Sequence, residues 1–166
     1  NYDDGLIVEG MVPFDRELSV IAVRSRSGEV RCYPLVENEH VGGILRRSRA
    51  PAPNLTEGVQ ARAAEIATTL LNELGYVGVL AVELFDVGGT LLANEMAPRV
   101  HNSGHWTIEA CATDQFQQHI RAVAGWPLAS PRRHAMAVMT NLIGDDAADW
   151  PSLAREPGAA LHLYGK

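Results

Sequence analysis

Apolar and polar positions along the chain change period repeatedly, and each change predicts an element. Val59, Ala63, Ile66, Ala67, Leu70, Leu71 and Leu74 recur at three- and four-residue steps, the pattern of an amphipathic helix. Thr56 stands at a capping position and Gly75 where a helix stops, so the helix is predicted over residues 56–75. Two β-rich runs, 17–24 and 29–36, flank Ser25-Arg26-Ser27-Gly28 and predict a hairpin, with Pro34 at an edge or strand end. A short apolar run at 6–10 predicts a strand broken at Pro13. Residues 37–53 show no period and contain Gly42-Gly43 and Arg46-Arg47. They are expected to form a long loop that orders over bound nucleotide.

A further strand pair is predicted at 81–85 and 91–93, joined by Asp86-Val87-Gly88-Gly89-Thr90. It carries Glu83, a lone carboxylate in an otherwise apolar strand, where an ionised group is costly unless a cation sits against it. If Gly89 centres the turn, Glu83 stands opposite Glu95, about 5 Å away on one face, and the two charges repel. A divalent cation removes that repulsion. Oxygen ligands on rigid strands, with the Asn94 amide adjacent, suit Mg2+ or Mn2+ holding a polyphosphate better than zinc. A turn centred between Gly88 and Gly89 would instead pair Glu83 with Asn94 and turn Glu95 away. Both registers are open at this stage.

The run from Asn94 to Trp106 is the densest stretch of chemically capable side chains. His101 and His105 have the spacing of a helical zinc pair, but Pro98, Asn102, Ser103 and Gly104 break such a helix. Residues 106–111 and 113–123 read as two helical pieces ending at Ala124-Gly125-Trp126-Pro127. Residues 127–133 are polar and proline-containing, a candidate boundary between a unit at 1–127 and another at 128–166. Beyond it, 134–143 reads as a strand of a different layer, a short helix follows from Trp150, and 161–166 reads as a strand.

Composition narrows the function classes. A chain of 166 residues with 46% apolar and 20% charged content can bury a real core. A net charge of -6 argues against a general nucleic-acid surface. Cys32 and Cys111 lie in apolar surroundings without metal spacing, as reduced core residues of an intracellular protein would. No apolar run approaches membrane-spanning length, so no membrane partner is expected and the compartment is expected to be the cytoplasm. The backbone of Glu9, Gly10, Met11 and Val12 could meet an adenine edge, with Glu17 accepting from ribose hydroxyls.

Glu83, then Asn94-Glu95, then Ala97-Pro98-Arg99-Val100-His101-Asn102-Ser103-Gly104-His105-Trp106-Thr107 carry a resemblance. So do Tyr33-Pro34-Leu35, Gly43-Ile44-Leu45-Arg46, the stretch 73–79 and Asn141-Leu142-Ile143-Gly144. Together they resemble the ATP-grasp family, within it the synthases that make 5-(carboxyamino)imidazole ribonucleotide in purine biosynthesis. The resemblance implies an α+β fold: an ATP-grasp-type antiparallel sheet with packed helices, plus part of a small C-terminal β-rich domain. It implies ATP and Mg2+ (or Mn2+) as cofactors, 5-aminoimidazole ribonucleotide and bicarbonate as substrates, and a homodimer. Glu9, Gly10, Met11 and Val12 would form the adenine hinge, Glu17 would meet the ribose, and His40 would lie near the nucleotide. Glu83 and Glu95, with Asn94, would hold the metal and phosphates. Arg99 and His101 would serve catalysis and, with Asn102 and Lys166, the substrate. Many ATP-grasp enzymes carry an asparagine two residues after the second metal glutamate, where this chain has Ala97. The resemblance also implies that an N-terminal domain and a nucleotide-binding lysine lie outside this chain, so the chain alone is not expected to catalyse.

Overall fold

The computed structural model describes residues 8–164. Strand β1 (Arg16–Arg24) runs through the middle of the sheet and turns at Ser25 to Gly28 into β2 (Val30–Cys32), as expected. The second run of that hairpin is shorter than the sequence suggests. Tyr33 still donates its N–H to Ile21 O at 2.8 Å, but Pro34 has no N–H and the ladder ends there.

Residues 37–53 are largely not a loop. They form most of β3 (Val36–Val41) and β4 (Ile44–Ala50), an antiparallel hairpin closed by Gly42-Gly43, with φ of 60° and 78°. Both turn residues need the left-handed region, which glycine enters without a Cβ penalty. The strands escape a hydrophobicity reading because their inward positions include Asn38 and Ser48, both buried and polar. With the loop gone, the basis for a lid there is gone as well.

Helix α1 (Glu57–Glu73) has Thr56 accepting from the Val59 N–H, and Gly75 follows it with φ 56°. It packs Ala63, Ala67 and Leu71 onto one face of the sheet, against Leu18, Val20, Ala22, Leu80, Val82 and Leu84. Strands β5 (Gly78–Val87) and β6 (Thr90–Ala97) form the second predicted hairpin, with β5 paired to β1 along its length. The helices α2 (Thr107–Ala110) and α3 (Gln115–Ala124) cover the opposite face, where Trp106, Ala110 and Ala122 meet Ile21, Val23, Val79 and Ala81. Asp114 caps α3 and Gly125, at φ 76°, ends it.

Strand β7 (Ala137–Thr140) corrects the expectation of a different layer. It pairs antiparallel with the outer edge of β4, from Arg47↔Thr140 to Ala50↔Ala137, and satisfies backbone groups that an open edge would leave unpaired. The sheet order is β6-β5-β1-β3-β4-β7, with β2 beside β1. A short helix α4 (Trp150–Leu153) follows as expected. Two other strand expectations fail over their described residues. Residues 8–10 and 161–164 lie in no regular element, and Val8, Met11, Leu163 and Tyr164 stand exposed instead of pairing. The remainder of both stretches lies outside the described residues. The class is α+β, an antiparallel sheet with helices on both faces. Among the described residues no helix is long and apolar enough to cross a membrane.

Candidate functional site

Neither simple register of the second hairpin is adopted. The turn is the two-residue Gly88-Gly89, with φ of 58° and 87°, and the ladder runs Val87↔Thr90, Asp86↔Leu91, Phe85↔Leu92 and Leu84↔Ala93. Continued without interruption, that ladder would pair Glu83 with Asn94. A bulge at Glu83/Leu84 takes up one extra residue of β6, and beyond it the pairs are Glu83↔Glu95, Val82↔Met96 and Ala81↔Ala97. Asn94 is the residue the bulge leaves over. The two glutamates therefore oppose each other after all, by a bulge and not by an odd-numbered turn.

Glu83 and Glu95 meet a third group from the segment that follows β6. Ligand atoms of Glu83, Glu95 and His101 lie within 4.8 Å of one another, and His101 Nε2 is 3.6 Å from Glu83 Oε1. Burial pushes the Glu83 carboxyl above its ordinary value, and the charge of Glu95 pushes it further, while His40 and Arg99 pull it down. Burial holds the His101 imidazole below its ordinary value, with the Arg99 charge adding to the effect. Glu17, on β1, accepts from His40 Nδ1 at 2.5 Å, and both act electrostatically on the Glu83 carboxylate. Arg99 is exposed, its guanidinium donating to Val100 O at 3.1 Å. The arrangement is an acidic pair rimmed by a cation and two imidazoles.

The segment that carries His101 is irregular yet tightly fixed. Gln115 is fully buried at the start of α3, and its side-chain amide grips the His101 backbone from both sides. The His101 N–H donates to Gln115 Oε1 at 2.9 Å and Gln115 Nε2 donates to His101 O at 2.7 Å. Gly104 makes room for that amide, since a Cβ there would lie 2.4 Å from Gln115 Oε1. Thr107 Oγ1 donates to Gly104 O and accepts the Gln115 N–H, tying turn to helix. His105 Nδ1 donates to His101 O at 3.0 Å, which spends that nitrogen on backbone and not on a metal. Sequence reasoning assigned no role to Gln115, Ser103, Ser19 or Asn38. The available signal was polar residues at inward strand positions and a glutamine opening a helix directly after its cap.

Other predicted residues are placed less centrally. Glu9, Gly10 and Met11 are exposed, Val12 is half-buried, and all four lie in no regular element. Asn94 is exposed on the bulge. Asn102 is exposed in the 3-10 turn Asn102–Gly104, where its carbonyl accepts the His105 N–H. Lys166 lies outside the described residues. Ala97 is buried opposite Ala81 and offers no polar atom. An opening of about 950 Å³ lies elsewhere, between α1 and the β4/β7 edge, and its mostly apolar lining includes Ala50, Pro51, Leu55, Ala61 and Val138. The acidic pair on the other side of the sheet is the site with chemistry.

The site is thus an antiparallel sheet presenting two opposed carboxylates beside Arg99 and His101. The ATP-grasp domain profile matches residues 1–116, and the profile of the phosphoribosylaminoimidazole carboxylase C-terminal domain matches residues 137–166. The chain belongs to the ATP-grasp domain family.

Within that family it is similar to N5-carboxyaminoimidazole ribonucleotide synthases. The Brucella melitensis synthase is 56% identical over 161 residues, a match covering 96% of this chain and 44% of the relative. The Thermus thermophilus synthetase structure superposes with a TM-score of 0.90 at 54% identity, over 95% of this chain and 44% of that one. An Aspergillus clavatus synthase, solved in complex with ADP and 5-aminoimidazole ribonucleotide, gives a TM-score of 0.87 at 34% identity, over 92% of this chain and 43% of that one. The chain thus spans less than half the length of the relatives it matches.

Proposed function

We propose that this chain supplies the metal-binding half of an ATP-dependent synthase that carboxylates 5-aminoimidazole ribonucleotide with bicarbonate, by way of carboxyphosphate. The observation that carries the reading is the bulge that sets Glu83 opposite Glu95, facing the 98–106 segment. The donor set fits a hard divalent cation: two carboxylates from rigid strands, of which Glu83 is raised by burial first and by the Glu95 charge second. Glu83 and Glu95 would hold Mg2+ or Mn2+. Bound there, the ion would neutralise charge on the phosphate oxygens of ATP.

The chain's own residues would do the rest by position and charge. Arg99 has an exposed guanidinium, which would bind two oxygens of bicarbonate or carboxyphosphate side by side. His101, clamped by Gln115, would hydrogen-bond the acceptor substrate. Glu17 and His40 would line the ribose side, residues 9–12 would meet the adenine, and Asn94, Asn102 and Lys166 would complete the phosphate and ribotide contacts. Similarity to a synthase solved with ADP and 5-aminoimidazole ribonucleotide supports the choice of ligands.

The test is ADP release by a polypeptide of the relatives' full length carrying this segment, assayed with bicarbonate and 5-aminoimidazole ribonucleotide. Release that depends on both substrates is expected. Arg99→Lys and His101→Ala should each lower it at least about tenfold, the scale of one lost catalytic contact, with ATP affinity little changed. ADP release indifferent to 5-aminoimidazole ribonucleotide but stimulated by another amine would overturn the choice of acceptor.

A further inference from the structure

The His101 ring is the end of a buried hydrogen-bond chain that crosses the sheet in a single direction. Ser48 Oγ donates to Asn38 Oδ1 at 2.8 Å, and Asn38 Nδ2 donates to Ser19 Oγ at 3.0 Å. Ser19 Oγ then donates to Ser103 Oγ at 2.8 Å, and Ser103 Oγ lies 2.9 Å from His101 Nδ1. Ser48, Ser19 and Ser103 are fully buried and Asn38 is nearly so, leaving no room for solvent to reverse a link.

Proton counting along this chain fixes the last link. A hydroxyl has one proton to give. Ser19 gives its proton to Ser103, so Ser103, with that bond accepted, has its own proton free for His101 Nδ1. The Ser103 backbone N–H also points at Nδ1, at 3.4 Å. Nδ1 therefore faces two donors and must offer a lone pair. The proton of the neutral ring then sits on Nε2, the nitrogen 3.6 Å from Glu83 Oε1. Rotating the Asn38 amide would reverse every link and move the ring proton to Nδ1, where it would meet the Ser103 N–H donor to donor.

We propose that Ser103, backed by Ser19 and Asn38, is a positioning residue that locks His101 as its Nε2–H tautomer, so that His101 presents a donor and not a ligand lone pair to the acidic pair. The ring nitrogen is near enough to both carboxylates to pass for a third cation ligand. The tautomer makes it a hydrogen-bond donor to oxygen instead. The consequence for substrate rests on the synthase reading: His101 would hold a carboxylate or phosphate oxygen, and Nε2 in this form could not accept the amine's proton.

The experiment is long-range proton–nitrogen NMR on full-length protein carrying this segment, with ¹⁵N-labelled histidine, at a pH where the ring is neutral. His101 is assigned by its disappearance in His101→Gln. The expected spectrum has Nδ1 in the unprotonated range and Nε2 in the protonated range, without substrate and again with Mg2+ and ATP. In Ser103→Ala the two nitrogens should move toward a tautomer average, kcat should fall about tenfold as for lost support of a site histidine, and the ATP KM should hold. Ser103→Thr, which keeps the hydroxyl, should restore both. A protonated Nδ1 in the wild-type protein, or a Ser103→Ala spectrum unchanged from it, would overturn the proposal. The wild-type spectrum decides the tautomer even if a variant fails to fold. Because it is read without substrate, its outcome is separate from that of the carboxylation assay.

Discussion

The two faces of the central sheet are built from the same strands but by different means. Under α1, Leu18, Val20, Ala22, Leu80, Val82 and Leu84 meet Ala63, Ala67 and Leu71 in an apolar cluster. Under α2 and α3, the same strands also present Ser19 and Glu83, β3 adds Asn38, and the covering segment answers with His101, Ser103 and Gln115. The first face holds the fold by burial, which is non-directional and tolerant of repacking. The second adds to its own apolar cluster a set of directed hydrogen bonds, each of which leaves a buried group unpaired if its partner goes. Chemistry resides on the face where position must be exact to within a bond.

The largest effect expected from this contrast is on the apolar side. Leu71→Ala should cost about 2–5 kcal/mol of stability in chemical denaturation, while turnover per folded molecule stays unchanged. A loss of turnover out of proportion to folded fraction would mean the faces are not independent. Glu95→Gln should do the reverse, lowering ATP turnover at least about a hundredfold with the fold intact, because it removes a ligand charge from an exposed side chain. Normal turnover at limiting Mg2+ would remove Glu95 from the metal site.

Gly104→Ala should affect both properties together. Its Cβ would collide with the fully buried Gln115 amide, so a loss of about 1–3 kcal/mol in thermal denaturation is expected, along with weaker turnover as the grip on His101 loosens. Unchanged melting would show that the Gln115 clamp is slack.

The smallest effect is a pH dependence of the cation-free protein. The Glu83 carboxyl is raised in the fold, so its contribution is whole below its ordinary value of 4.5 and is lost as pH climbs through the raised value. The His101 imidazole is lowered, so its contribution is whole above 6.5 and is lost as pH falls through the lowered value. Glu83→Gln should therefore stabilise the cation-free protein at neutral pH by up to about 1 kcal/mol, the scale of a like-charge cross-strand pair, and flatten the loss on the alkaline side. Stability curves of wild type and variant that run parallel would contradict the origin assigned to the shift.

The same contrast explains what could be read from the sequence. Helix α1 was legible to within a residue or two because its apolar stripe keeps a helical period between a threonine and a glycine. Strands β3 and β4 were not, because Asn38 and Ser48 occupy inward positions that pattern reading assigns to solvent. The Gly42-Gly43 turn between them was the one local cue. Strand β7 was found but misplaced, since four residues do not encode which edge they will complete. At the site, two acids in adjacent strands pointed to the pair that the structure sets opposite each other, while the register that joins them depends on a bulge that no periodicity records. The hydrogen-bond chain behind His101 joins residues up to 84 positions apart, and nothing local links them.

A divalent cation shared by Glu83 and Glu95 would be seen by anomalous diffraction. Crystals of full-length protein carrying this segment, grown with ADP and Mn2+, should show a manganese peak bonded to carboxylate oxygens of both Glu83 and Glu95, with His101 outside the coordination sphere. A peak bonded to neither glutamate, or none in nucleotide-bound crystals, would show that the pair does not hold the cation.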